Sequence, residues 1–245
     1  MYPITRPLTY PITKQITGNM DNLSNWTPSQ ITTSMWFDAS DSTTITLNGS
    51  NVSQWRDKSG AGRNMSQATA ASQPAYVESS INGKAVVSLD GSNDFMFGAT
   101  GLAGGAFSVF AVLQYKNATT TQQGILCNDL STTAPSTYWQ ANAGTFRGYN
   151  GNYVSGGAYT ANQIDSIGTT QTPSAYTIYR SGNVVGTGGA AVASTNNGFQ
   201  IGRLGNGSLF AYAQVDFGEI ITVNAVNTTA RQLIEGYLAW KWGGV

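Results

Sequence analysis

The chain has 245 residues, with 12 basic and 12 acidic side chains that give a formal net charge of zero. This length suffices for one domain with a sizeable core, whereas the neutral charge and the lack of a run of about 18 apolar residues argue against nucleic-acid binding and membrane insertion. With no histidine and a single cysteine, the chain cannot form His-based nucleophilic triads, histidine zinc sites or thiolate clusters.

The N-terminal segment YPITRPLTYPIT repeats a proline–aliphatic–threonine triplet. Proline lacks an amide donor and disfavours helix in the residue before it, so residues 1–20 are predicted to be an extended arm outside the folded domain. Such an arm either stays free in solution or docks on another protein, and its regular apolar spacing favours docking. The residues predicted to make that contact are Pro3, Ile4, Arg6, Pro7, Leu8, Pro11, Ile12 and Lys14.

From residue 21 onward, short runs of β-branched and aromatic residues alternate with turns rich in Gly, Asn and Ser, as in ITTSMWFDA and AFSVFAVLQYK. About a dozen short strands at this spacing predict an all-β domain over residues 21–245, built as a two-sheet jelly-roll sandwich. One hairpin turn is predicted at residues 181–183, between two alternating runs.

The C-terminal segment NTTARQLIEGYLAWKWGG departs from the strand pattern and predicts one short helix. Thr229 and Gln232 have the spacing of a capping box, and Gly243 can end the helix. The residues predicted to pack on the sheet are Ala230, Leu233, Ile234, Tyr237 and Leu238. Lys241 is expected to lie in solvent.

Several separated motifs occur in a fixed order over residues 35–243: MWFDASD, WRDKSG, GKAVVSLDGSND, GEIITVNAV and IEGYLAWKWG. Together they resemble the laminin-G-like, concanavalin-A-like jelly-roll domains of bacteriophage virion proteins. The resemblance implies a binding or structural module, often for carbohydrate. The triplet repeat is also similar to N-terminal strips of phage structural proteins, which implies that residues 1–20 bind other virion proteins.

Acidic residues are too scattered to predict catalysis. Glycosidases need two carboxylates about 5 to 9.5 Å apart across the sugar bond, but Glu78, Glu219 and Glu235 are far apart in sequence. Asp216 and Glu219 are three residues apart, so a regular strand would point them to opposite faces. The chain is therefore predicted not to be an enzyme, and a polysaccharide hydrolase is the less favoured alternative.

Aspartates recur in loops that directly follow predicted strands, as in LDGSND. Asp side chains in such positions commonly bond backbone amides and fix turns, which is the favoured interpretation. The alternative is a calcium site at Asp90, Asn93 and Asp94, since calcium prefers oxygen ligands. No other metal and no cofactor is expected.

Aromatic and amide side chains cluster in the middle of the chain, partly on the predicted strands STYWQA and TFRGYN and partly in Gly-rich segments predicted to be loops. Aromatic faces can stack on the apolar face of a sugar ring, while amides bond its hydroxyls. The candidate carbohydrate-binding residues are Tyr138, Trp139, Tyr149, Asn150, Tyr153 and Tyr159. Packing of these aromatics in the core or between subunits is the alternative.

The sequence thus favours a non-enzymatic bacteriophage virion protein that displays a jelly-roll domain on a tail fibre or spike and recognises a host surface glycan. The alternative is a head decoration protein that stabilises the capsid. In either case the protein is expected to be a homo-oligomer in the virion, made without a secretion signal.

Overall fold

The computed structural model describes residues 26–118, 121–128, 137–189, 194–195, 197–204 and 211–244. Strands dominate these residues, and one α-helix follows them at the C-terminal end. The predicted arm, residues 1–20, lies outside the described residues. No helix among those described is long and apolar enough to cross a membrane.

The strands are short and follow one another closely along the chain. They are β1 (Met35–Asp38), β2 (Ile45–Asn48), β3 (Asn51–Trp55), β4 (Met65–Ser66), β5 (Ala75–Val77), β6 (Val86–Ser88), β7 (Met96–Gly98), β8 (Ala103–Gly104), β9 (Phe107–Tyr115), β10 (Gln123–Asn128), β11 (Thr137–Asn142), β12 (Thr145–Tyr149), β13 (Tyr153–Ala158), β14 (Ile164–Thr172), β15 (Ala175–Arg180), β16 (Asn183–Gly188), β17 (Ser194–Thr195), β18 (Phe199–Ile201), β19 (Ala211–Tyr212) and β20 (Val215–Val223). The α-helix is α1 (Thr228–Trp242), and 3-10 turns span Pro28–Gln30, Ser42–Thr44, Ala70–Ser72 and Ile81–Gly83.

Antiparallel pairing arranges these strands in two ladders. The first, which we call the open ladder, has the order β2–β3–β4–β7–β18–β10–β11–β12–β13. The second, the helix-covered ladder, has the order β5–β6–β20–β9–β14–β15–β16, and β1 also pairs with β20. Strand β19 adds to β10 in parallel, and β8 pairs with β17 separately.

The all-β class and the C-terminal helix are confirmed, whereas the predicted two separate sheets of a jelly roll are not established. Asn51 of β3 pairs with Ala75 of β5, and this contact joins the ladders into one 18-stranded network. At the other ends, β16 runs so close to β13 that a Cβ on Gly186 would overlap the Ser155 carbonyl oxygen. The result is a nearly closed, barrel-like sheet.

The main core lies between the two ladders, because every second side chain of a strand points inward. Its large members from the open ladder are Trp55, Met65, Met96, Trp139 and Phe146. Those from the helix-covered ladder include Phe107, Leu113, Tyr176, Ile178 and Phe217. Burying each such side chain stabilises the fold by roughly 1.5 to 3 kcal/mol.

Helix α1 begins and ends where its sequence supplies caps. The side chain of Asn227 accepts a hydrogen bond from the Ala230 amide at 3.0 Å, so the N-cap lies two residues before Thr229, the N-cap of the predicted capping box. Gly243 ends the helix with a φ of 90°, a left-handed conformation that favours glycine. The predicted C-terminal stop is therefore confirmed.

One face of α1 packs on the outer face of the helix-covered ladder and forms a second core. The helix contributes Ile234, Tyr237, Leu238 and Trp242, and the ladder contributes Phe110, Val112 and Ile221. Trp26 packs edge-on against Tyr237, with ring centroids 5.9 Å apart. The outer face of this ladder is therefore already occupied.

Candidate functional site

Three tyrosines lie side by side on the outer face of the open ladder. Tyr138 of β11 is in register with Tyr149 of β12, which is in register with Tyr153 of β13. Their neighbours Trp139 and Val154 belong to the main core, so alternation turns the tyrosines to the outside. We call Tyr138, Tyr149 and Tyr153 the tyrosine row.

The rings of the tyrosine row hold one another in place. Tyr138 stacks on Tyr149 with centroids 4.6 Å apart, and Tyr149 meets Tyr153 edge-on at 5.1 Å. The Tyr138 hydroxyl donates a hydrogen bond to the Tyr153 hydroxyl at 2.9 Å. Burial, together with this hydrogen bond, raises the pKa of Tyr138, which keeps its proton available for donation. Exposure increases along the row, from 4% at Tyr138 to 49% at Tyr153.

A second row of polar residues runs beside the first, two positions further along the strands. Gln140 is in register with Arg147, and Arg147 with Ser155. The two rows are about 7 Å apart, from the rise of a strand. Gln140 is fully buried, and neither its amide nitrogen nor its amide oxygen has a hydrogen-bond partner in the structure as described. We call Gln140, Arg147 and Ser155 the polar row.

The open ladder carries further aromatic surface in line with the tyrosines. Tyr138 pairs with Cys127, Cys127 with Gln200, and Gln200 with Phe97. Phe97 therefore lies in the same cross-strand line as the tyrosine row, and it is 40% exposed. Leu204 packs on this face together with Tyr138 and the buried Cys127. Unlike the helix-covered ladder, this one has no α-helix packed on its outer face among the described residues.

Three predicted sugar-binding residues lie elsewhere, and this part of the prediction is corrected. Trp139 points into the core, where its indole nitrogen donates to the Thr169 hydroxyl at 3.2 Å. Tyr159 is buried and stacks on Tyr115, with centroids 4.0 Å apart. Asn150 is buried too, and its amide donates to the carbonyl of Gly189 at 3.3 Å.

The strand candidates that carry Tyr138 and Tyr149 are confirmed as β11 and β12, whereas the Gly-rich segment of Tyr153, predicted to be a loop, forms β13. Glycine is needed there because other residues approach closely. A Cβ on Gly148 would overlap Tyr176, and one on Gly156 would overlap Phe146. The polar row was not predicted, because residue type alone, without strand alternation, singles out the aromatic and asparagine side chains. Since Gln140 and Arg147 are each two positions from a tyrosine of the row, that alternation would have found them.

The residues predicted as an alternative calcium site form a closed turn. The Asp90 carboxylate accepts the amides of Ser92 at 2.7 Å and Asn93 at 3.3 Å, and Asp94 accepts the Asp90 amide at 3.1 Å. Asn93 donates to the carbonyl of Ala71 at 2.6 Å. Within the described ranges, no three acidic, histidine or cysteine side chains gather as a metal site would require. The three residues therefore hold the turn through backbone amides.

The Asp94→Asn variant should gain stability relative to the wild type as pH rises. Burial raises the pKa of the Asp94 carboxyl to about 6, so its contribution to stability is complete below pH 4 and is lost as pH rises through 6. Asparagine stays neutral and keeps an oxygen for the Asp90 amide. The unfolding free energy of the variant minus that of the wild type, measured by urea denaturation, should increase by about 1 to 2 kcal/mol between pH 4 and pH 8. A difference that is constant with pH would contradict this account.

A cluster of charged side chains joins α1 to β20. Glu219 is fully buried, and one of its oxygens accepts the Trp36 indole N–H at 2.6 Å and the Tyr237 hydroxyl at 3.0 Å. Its other oxygen accepts Lys241 at 2.7 Å and the Trp242 indole N–H at 2.8 Å. Both carboxylate oxygens are thus fully engaged, and their donors come from β1 and α1.

Asp38 completes this cluster as the register partner of Glu219 on β1. Lys241 lies 2.7 Å from Asp38 as well, and Lys58 lies 3.0 Å from it. Burial, reinforced by the charge of Asp38, raises the pKa of Glu219. Burial acts in the same direction on Asp38, but the charge and hydrogen bond of Lys241, together with Ser40 and Lys58, outweigh it and lower the pKa of that carboxyl. Lys241 therefore bridges two buried acids, and Lys58 provides a second cation for Asp38.

The predicted opposite orientation of Asp216 and Glu219 is wrong, because β20 contains a bulge between Phe217 and Glu219. Asp216 pairs with Gln114 and Glu219 with Val112, two positions apart on β9, so both side chains face the same side. Gly218 forms the bulge. A Cβ there would lie 2.8 Å from the ring of Trp242, so the close contact with α1 requires glycine.

Comparison by sequence finds neither a matching family model nor a matching curated protein. Comparison by structure finds a sialidase of Trypanosoma rangeli bound to 2,3-difluorosialic acid, with a TM-score of 0.62 and 11% identity over 86% of this chain and 33% of the sialidase. An arabinofuranosidase complexed with arabinofuranosyl-α-1,2-xylobiose matches with a TM-score of 0.58 and 13% identity, over 77% of this chain and 51% of its own.

Domain 4 of AbnA, an extracellular arabinanase from Geobacillus stearothermophilus, matches in complex with arabinotriose. Its TM-score is 0.54 at 13% identity, over 82% of this chain and 97% of the domain. The chain thus spans about a third of the sialidase length but nearly all of the arabinanase domain. At these identities the likeness shows a shared fold.

These matches overturn the prediction of a non-enzymatic bacteriophage virion protein, whether tail fibre or head decoration, and with it the prediction that the chain is not an enzyme. The solved chains that share the fold are sialidases, an arabinofuranosidase and an arabinanase domain. Some residues of the motifs behind the virion prediction contribute to the fold, as Trp36, Asp38 and Glu219 show, and the resemblance of these motifs to the phage domains stays a prediction from sequence. The partner of residues 1–20, the homo-oligomer and the virion location stay predictions from sequence.

Proposed function

We propose that this chain is a carbohydrate-binding domain of the kind that glycoside hydrolases carry, and that it binds sugar chains on the tyrosine row. The observation that carries this proposal is the in-register row of Tyr138, Tyr149 and Tyr153 on the outer face that α1 leaves open. The complex of arabinanase domain 4 with arabinotriose supports it, because nearly all of that domain shares the present fold.

The tyrosine row suits a sugar ring for two reasons. Tyrosine offers an apolar face for stacking and a hydroxyl for hydrogen bonds, and an aromatic contact of this type is worth about 0.5 to 1.5 kcal/mol beyond the buried area. The rings of Tyr149 and Tyr153 are already fixed by their mutual contacts, so binding costs little side-chain entropy. The adjacent polar row supplies groups that can bond sugar hydroxyls.

We also infer that the two ladders act as the two sheets of a laminin-G-like, concanavalin-A-like sandwich. The main core lies between them and the second core lies under α1, so each ladder has one face against the main core. The short β3–β5 contact then serves as a corner between the sheets. In this arrangement the open ladder provides the surface that remains for a ligand.

Titration calorimetry with arabinotriose, xylo-oligosaccharides and a panel of plant and bacterial oligosaccharides tests the proposed function. The wild type should bind at least one of them, and Tyr153→Ala should weaken that binding tenfold or more, which corresponds to about 1.4 kcal/mol. Trp240→Ala is the matched control, because Trp240 is 60% exposed and lies on α1, on the far side of the helix-covered ladder. Equal losses in both variants, or no binding across the panel, would refute the proposal.

A further inference from the structure

Arg147 differs from the other arginines in the described part of the chain. Each of the others donates a hydrogen bond to a protein oxygen: Arg56, Arg63, Arg180, Arg203 and Arg231. Arg147 is half-buried in the middle of the polar row, and its guanidinium has no hydrogen bond, ion pair or ring contact with any described residue. Its positive charge is therefore available to a ligand on the open ladder.

Gln140 provides a second, independent sign of a ligand. It is the cross-strand partner of Arg147, and its buried amide lacks partners for both nitrogen and oxygen among the described residues. Such unpaired buried groups are rare and cost free energy, because they lose their bonds to water on folding. A ligand bound at Arg147 that also reaches this amide would remove that cost.

The charge pattern indicates which ligand fits. The polar row carries one cation, Arg147, between the neutral side chains of Gln140 and Ser155. A guanidinium presents its donors in a planar fork that matches a planar carboxylate. One positive charge balances one carboxylate, whereas a phosphate carries up to two negative charges.

We propose that the open ladder recognises an acidic sugar, a hexuronate unit whose ring lies against Tyr149 and Tyr153 while its carboxylate is bound by Arg147 and the amide of Gln140. The spacing of about 7 Å between the two rows lets the ring and its carboxylate occupy adjacent rows. This inference rests on the proposed function and narrows it to carboxylated polysaccharides.

Trigalacturonate and its methyl ester make a matched pair of probes, because esterification removes the charge and keeps the ring. The wild type should bind the acid at least tenfold more tightly than the ester, and added salt should reduce the difference. In Arg147→Gln the affinity for the acid should fall more than the affinity for the ester, so that the two become equal. Oligomers of glucuronate and mannuronate, each with its ester, extend the test to other hexuronates.

Gln140→Leu gives a second measurement that separates recognition from folding. Replacing an unpaired buried amide by an apolar side chain of similar size should leave the unfolding midpoint unchanged or raise it. The preference for acid over ester should nevertheless fall. A loss of stability with an unchanged preference would show that Gln140 serves only the fold.

The outcomes distinguish the two proposals. If the wild type binds acid and ester equally, or a sulfated oligosaccharide more tightly than every hexuronate, the inference that the ligand is a hexuronate is wrong and the proposed function stands. If Arg147→Gln weakens acid and ester by the same factor, Arg147 does not read the carboxylate, and the inference is again wrong. If no oligosaccharide binds, both proposals fail.

Discussion

Replacing Lys241 by methionine is expected to lower the free energy of unfolding by about 3 to 5 kcal/mol, the range for removing one partner of a buried ion pair. The lysine side chain is 13% exposed and contacts both Asp38 and Glu219. Without its ammonium, the buried Glu219 would keep only neutral hydrogen-bond donors, whereas Asp38 would keep Lys58. The sequence alone suggested an exposed Lys241 with little effect on stability, which the structure corrects.

The double variant Lys241→Met with Glu219→Gln supplies the control for this experiment. It removes the unpaired negative charge of Glu219 and should recover part of the stability that Lys241→Met loses. Because burial raises the pKa of Glu219, the loss in the single variant should also shrink at acidic pH, where Glu219 takes up a proton. Chemical denaturation at several pH values measures both effects. A single variant as stable as the wild type at neutral pH would contradict the assigned role of the cluster.

Leu238→Ala is expected to lower the free energy of unfolding by about 2 to 5 kcal/mol, the range for truncating a buried leucine. Leu238 is fully buried under α1, in the second core with Phe110 and Ile221. The change removes apolar contacts and leaves a cavity between the helix and the helix-covered ladder. Thermal and urea unfolding monitored by circular dichroism provide the measurement.

Trp240→Ala is the matched control, because it truncates a larger side chain on the same helix. Trp240 is 60% exposed, so its loss should change stability by no more than about 0.5 kcal/mol. If both variants lost the same stability, the face of α1 that packs on the sheet would be misassigned.

Local patterns were enough to predict much of the fold. The apolar runs of β9 and β20 and the helical spacing of α1 are read from single segments, and Gly243 marks the end of the helix. Contacts between distant segments were not predictable in this way. The Trp242 ring lies against Gly218 in the bulge of β20, and no local pattern reveals that contact.

Only part of the site was predictable, because the type of a residue does not show which face of a strand its side chain occupies. The three tyrosines were recognised by residue type, but type alone could not separate Tyr138, which faces outward, from Trp139, which faces the core. Only a strand assignment, with its alternation, makes that distinction. Residue type alone singles out the aromatic side chains, so Gln140 and Arg147, which share a face with the tyrosines, were not identified.

The most direct test of the central claim, that the tyrosine row is a sugar-binding surface, is to map binding by NMR on the aromatic ring protons. Titration with an oligosaccharide that the domain binds should shift the ring signals of Tyr149 and Tyr153 and leave those of Trp240 unchanged. When the ring protons of these two tyrosines are saturated, the signals of the bound sugar protons should lose intensity. Shifts confined to Trp240, or to residues outside the open ladder, would contradict the account.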